Sequence, residues 1–205
     1  GFSGKAAARH EVTKDYRNIC KGEGVSGTKE MQACLLKYNN NINKDVETLA
    51  EVNTNREKRN EKFADAYDEG KLKNKEILDK VDTSFSGKVG EKNVVIDGST
   101  MTKIKEEYLV SDNNKQDLKD ILYYEEMRDK GGIFKDEADK KLAEIWKEIN
   151  EDYARLNLGQ SSIKEWSNSG LEGMSVQTAI FKNQRPIAYK DAVTSSEGWE
   201  GIEGS

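Results

Sequence analysis

Proline is all but missing from this chain of 205 residues, with Pro186 the single example. Proline breaks helix interiors, so its absence leaves long helices open as the main architecture. Histidine is equally scarce, with only His10. One histidine and two cysteines, Cys20 and Cys34, cannot complete the usual four-ligand zinc site without carboxylates. A serine or cysteine nucleophile would have His10 alone as its base. No apolar run approaches the roughly eighteen residues that a membrane span needs. Nor is there a basic block or arginine-rich arm, so a nucleic-acid footprint is not supported; the 33 basic and 38 acidic residues are interspersed, for a net charge of -5.

What is present is charge and helical periodicity. Hydrophobic and charged residues each make up 35%, a thin core for the length, which suits amphipathic helices packed side by side. A first helix is expected over 5–21, with Ala8, Val12, Tyr16 and Ile19 on one face and Gly22 and Gly24 ending it. Thr28 then caps a second, long helix reaching about Gly70. Its ladder holds Met31, Leu35, Tyr38, Ile42, Leu49, Val52, Phe63 and Ala66, with Asp45, Arg56 and Arg59 on other rungs. This heptad-like pattern is typical of a helix packed along another helix.

Leu72, Ile77, Leu78 and Val81 extend the helical pattern, and then the composition changes. The stretch FSGKVGEKNVVIDGST, from Phe85, reads as a turn with one or two short strands, or an ordered loop. Thr100 is placed to cap a helix with Met101, Ile104 and Tyr108, and a further helix carries Leu118, Ile121, Leu122 and Met127 up to Gly131 and Gly132. Over 136–158 the ladder returns as Ala138, Leu142, Ile145, Ile149, Tyr153 and Leu156. Gly159 is expected to close that helix, and the Ser162 to Glu165 capping box to open a short one with Ile163 and Trp166. Beyond Gly170 periodicity fades.

The expected fold is all-α and elongated. Residues 1–81 form an antiparallel helical hairpin with coiled-coil-like seams, 82–99 a glycine-rich, β-like connector, 100–170 a second helical unit, and 171–205 an extended arm. Apolar side chains in the arm, Val176, Ile180, Phe181, Trp199 and Ile202, lie in a glycine-bearing polar background and are the candidate partner-binding residues.

The sharpest local feature is CKGEGVSGTKEMQAC, residues 20–34. Gly22 and Gly27 have the outer spacing of a phosphate loop, but Thr28-Lys29 reverses the required order and a helix, not a strand, precedes them. A helix connector is the plainer account. The two cysteines stand at matched helix ends within disulfide reach, and a bridge there would stabilise by about 3 kcal/mol. Two buried free thiols are the other reading. An oxidised pair would favour a location outside the cytoplasm or in a virion. Asp82, Ser84, Ser86, Gly87 and Val89 have the spacing of a calcium loop, but Asn93 stands where the bidentate glutamate belongs.

Cys20, Glu30, Met31, Cys34, Tyr38 and Leu49 together resemble the start of the small secreted lysozyme-inhibitor-like proteins of bacteria, over about residues 20–49. That resemblance implies an exported protein that binds a hydrolase. The family's later tryptophan-tyrosine-cysteine segment and second cysteine pair are absent. The primary expectation is a non-enzymatic structural or interaction subunit of a bacterial or viral assembly. It would have protein partners, through self-association or assembly neighbours, and no cofactor, catalytic residue or metal ligand.

Overall fold

The computed structural model describes residues 2–169, and these are mostly all-α, with seven helices and two small two-stranded sheets among them. The chain divides into two units, Gly1–Trp146 and Lys147–Ser205. In the first unit, α1 (Phe2–Gly22), α2 (Thr28–Lys37) and α3 (Asn39–Ala66) form the expected hairpin. Three contacts give its direction: Cys20 is bonded to Cys34, the Tyr16 ring lies 5.4 Å from that of Tyr38, and Arg9 reaches Asn43 at 3.2 Å. As one number falls the other rises, so α1 runs antiparallel to α2 and α3.

The seam closes within one chain. Ala8, Val12 and Tyr16 of α1 are buried with Ile42, Val46, Leu49 and Val52 of α3, together with Met127, Phe134 and Ala138 from further along. Each fully buried aliphatic side chain contributes about 1.5–3 kcal/mol by leaving water. The strict spacing of four continues to Cys20, which is fully buried, whereas Ile19 is 36% exposed. The expected face is therefore corrected at its last rung: the disulfide pulls Cys20 inward and turns Ile19 out.

The long second helix is interrupted. Tyr38 leaves helical geometry between α2 and α3, at φ -94 and ψ 10. Asn39, Asn40 and Asn41 follow it, residues whose side chains compete for backbone hydrogen bonds. The helix also stops at Ala66 rather than near Gly70. There β1 (Tyr67–Asp68) and β2 (Lys71–Leu72) pair antiparallel across a two-residue turn. Both central residues, Glu69 at φ 53 and Gly70 at φ 79, have positive φ, as a primed hairpin turn requires.

A short helix, α4 (Lys75–Asp79), precedes the second hairpin, β3 (Phe85–Val89) and β4 (Lys92–Ile96), which turns at Gly90 with φ 62. The β-like connector is thus a full five-residue ladder. Its inner face carries Phe85, Val94 and Ile96, and Phe85 packs its ring 6.2 Å from that of Trp146. Gly87 lies beneath that ring, and a Cβ there would come within 2.8 Å of it.

Next come α5 (Gly98–Glu107), α6 (Lys115–Lys130) and α7 (Lys135–Ser169), with single turns of 3-10 helix before α6 and α7. Two expected caps are corrected. Asp97, not Thr100, caps α5 by accepting the Thr100 N–H at 2.7 Å. Thr28 is already helical, and Gly27 precedes it without a side-chain cap. α6 lies antiparallel along α3, since Glu51 meets Lys130, Asn55 meets Glu126, and the Phe63 ring meets Lys119. Helices on either side of the β-hairpin thus share one bundle.

α7 runs through Gly159 without the expected break. Its first part buries Ala138, Leu142, Ala143 and Trp146, while Ile145 is only half-buried. Trp146, one residue off the expected rung, takes the core position. In the second unit, Ile149 and Tyr153 of α7 are buried and Leu156 is 55% exposed, so the ladder ends one rung early. Ion pairs Lys147–Glu151 and Asp152–Arg155 support that turn of helix.

Candidate functional site

Cys20 and Cys34 form a disulfide, with Cα atoms 6.2 Å apart and a sequence separation of 14. Next to it, Glu23 accepts hydrogen bonds from the Tyr38 hydroxyl and from Lys37, the latter at 3.2 Å. Those bonds, Tyr38's first, hold the Glu23 carboxyl below the usual range. The joint between α1 and α2 is therefore fastened covalently inside and by an exposed polar triad outside. Leu36, beside it on α2, is 76% exposed. Val176, Ile180, Phe181, Trp199 and Ile202 lie outside the described residues.

A second feature is a charged cleft of about 640 Å³, lined by Asn55, Lys58, Arg59, Lys62, Lys80, Leu122, Glu125, Glu126, Asp129 and Lys130. Its α3 wall exists because residues 53–62, NTNREKRNEK, contain no apolar side chain. A helix face without apolar residues cannot make a dry seam with α6, so polar contacts replace it. Asn55 and Arg59 both donate to Glu126, at 2.6 and 2.8 Å, and the Tyr123 hydroxyl donates to Asn53 at 2.9 Å. Arg56 stacks over the Tyr123 ring at 4.2 Å.

Glu125 is the unusual member. It is only 4% exposed, and its Oε2 accepts the Asp82 backbone N–H at 3.1 Å. Its Oε1 has no partner, and neither has the buried Nη2 of Arg59. Burial pushes the Glu125 carboxyl up to about 8, against the smaller opposing pull of the Asp82 N–H. It is therefore mostly protonated at neutral pH. Arg128 offsets this only in part, since its guanidinium is engaged with Asp82 at 2.7 and 3.4 Å and with Asp129.

Two smaller hollows flank these elements. One, of about 490 Å³, is lined by Asp82, Ser84, Ser86, Gly87, Arg128 and Lys140 among others. The residues with calcium-loop spacing fall here, but β3 extends the chain through Ser86 to Val89, and Arg128 already occupies the Asp82 carboxylate. Among the described residues no group of three or more potential metal ligands occurs. The other hollow, of about 240 Å³, includes Tyr16, Lys44, Asp45 and Gly132. Tyr16 donates to the buried Asp45 at 2.6 Å, which satisfies the one acid in the dry seam. Gly132, at φ 73, lies so close that a Cβ would meet Asp45 Oδ1 at 2.7 Å.

His10 is exposed on α1, and the glycines over 22–27 are the plain connector between α1 and α2. Sequence reasoning missed the cleft and its buried carboxyl. The legible signal was the apolar gap at residues 53–62, whereas Glu125 follows Leu122 by the ordinary helical spacing of three and nothing in the sequence distinguishes it. Comparison with known proteins adds no guide: no family model, no curated protein and no solved structure matches this chain.

Proposed function

We propose that the chain is a non-enzymatic interaction subunit that associates with copies of itself or with neighbours in an assembly of bacterial or viral type. The observation that supports this reading most is the closure of the helical seams within one chain. The stripes of α1, α3 and α6 are buried, and the large apolar side chains exposed among the described residues are only Ile19, Leu36, Val95 and Leu156. Val176, Ile180, Phe181, Trp199 and Ile202 therefore have a body whose main stripes are already covered, and segments with isolated apolar anchors commonly order on a partner. Deleting residues 171–205 tests this. Light scattering across concentration is expected to show association of the full chain and a folded, unassociated truncated chain. Unfolding of the truncated chain would overturn the proposal, and a full chain that stays monomeric throughout would remove self-association from it.

The disulfide favours a second reading, an exported inhibitor of a hydrolase, because such bridges persist in oxidising compartments. The resemblance over residues 20–49 points the same way. Inhibition of lysozyme by the purified chain at stoichiometric concentration would select this reading, and unchanged lysozyme activity would remove it.

A further inference from the structure

We infer that the cleft formed by α3, the end of α4 and α6 is a binding site for a compact multivalent oxyanion of the phosphate class, independent of the arm. Its rim holds three cations. Lys58 and Lys62 lie one turn apart on the same face of α3, and Lys80 follows α4. None of the three has an ion-pair partner among the described residues. The acids of the lining are already engaged. Glu126 accepts from Asn55 and Arg59, and Asp129 pairs with Arg128.

The floor supplies what a patch of surface lysines lacks. Arg59 gives Nη1 to Glu126, but its Nη2 is buried with no acceptor. Glu125 is buried, with Oε2 accepting the Asp82 N–H and Oε1 unpartnered. Burial raises the pKa of this carboxyl, which lessens its repulsion of an anionic guest. A buried donor such as Arg59 Nη2 is costly without an acceptor, and the Arg59 and Glu125 side chains belong to the lining of the same cleft as the three free lysines. A lining of donors with positive charge selects a guest that only accepts and carries negative charge. A phosphate group does so with several tetrahedral oxygens, enough to meet rim and floor together. Both floor atoms are covered in the present arrangement, so the lysines capture the guest and side-chain rotation opens the floor to it.

Titration calorimetry of the full chain with inorganic pyrophosphate at low ionic strength tests the inference. Saturable binding that weakens with added salt is expected. The triple variant Lys58→Gln, Lys62→Gln, Lys80→Gln alters only rim side chains and should weaken binding by roughly tenfold or more. The corresponding Lys→Arg triple variant should retain it. Phosphatidylcholine vesicles doped with a phosphoinositide separate the sources. Binding to pyrophosphate indicates a free phosphate-bearing ligand, binding to vesicles alone a lipid headgroup, and either supports the shared chemistry. Absence of both, equal binding by the wild-type and Gln variants, or stronger binding of a polyglutamate peptide than of pyrophosphate would overturn it. The Arg59 guanidinium resonances should also shift on addition of pyrophosphate, and unchanged resonances at saturation would overturn the role of the floor.

Discussion

The two ends of α3 solve one problem in opposite ways. Near its start, Ile42, Val46, Leu49 and Val52 bury a continuous stripe, and the single buried acid, Asp45, is answered by Tyr16. Further along, residues 53–62 offer nothing apolar, and the helix is held to α6 by Asn53, Asn55, Arg56 and Arg59 acting on Tyr123 and Glu126. The dry half gains from area, which is non-directional and tolerant. The wet half gains from geometry, and any unmatched polar atom there is costly. The floor of the cleft shows that cost directly, with buried atoms of Arg59 and Glu125 left unpaired. Stability is thus expected to concentrate in the first half and binding chemistry in the second.

The sharpest way to break the comparison is in the dry half. Leu49 is 1% exposed, so Leu49→Ala should destabilise by about 2–5 kcal/mol in chemical denaturation. A change within about half a kcal/mol, typical of surface positions, would mean that the stripe contributes little. The disulfide comes next. The double variant Cys20→Ser, Cys34→Ser should lose about 3 kcal/mol, mainly by freeing the denatured chain. Equal melting of the double variant and the oxidised wild type would show that the bridge adds nothing to a hairpin already held by its seam.

How much of this could be read in advance follows the same division. Spacings of three and four located α1, α3, α6 and the start of α7, because apolar burial leaves a periodic trace. The errors fell where one residue's neighbours decide. Trp146 displaces Ile145 because Phe85 from the β-hairpin lies against it. Cys20 displaces Ile19 because Cys34 holds it. Tyr38 interrupts the long helix where its side chain turns to Tyr16 and Glu23. Asp97 caps α5 from three residues before Thr100, a competition between two good capping residues that composition alone leaves open. Arg56 and Arg59 on rungs of the ladder marked a seam that is not uniformly dry, but a glutamate on α6 becomes a buried carboxyl only once α6 and the segment around Asp82 come together.

The remaining expected effect lies in the wet half and depends on pH. Glu125 has its carboxyl pushed up to about 8 by burial, against an ordinary value of 4.5 in the unfolded chain. Between those two values the folded state holds a proton that the unfolded state has released, so stability falls as pH rises. The contribution is fully present below about pH 4.5 and gone once pH passes the folded value near 8. Glu125→Gln imitates the protonated acid. Its carbonyl can still accept the Asp82 N–H, and its amide places a donor where Oε1 stands. The margin of the variant over the wild type should widen by about 3–4 kcal/mol from pH 5 to pH 8.5, since each tenfold difference in proton affinity between the two states is worth about 1.4 kcal/mol. Other groups titrate in the same window, so the quantity to follow is the difference between the two denaturation curves rather than either curve alone. A constant difference from pH 5 to 8.5 would show that Glu125 titrates alike in both states, and the floor of the cleft would then carry a charged carboxylate.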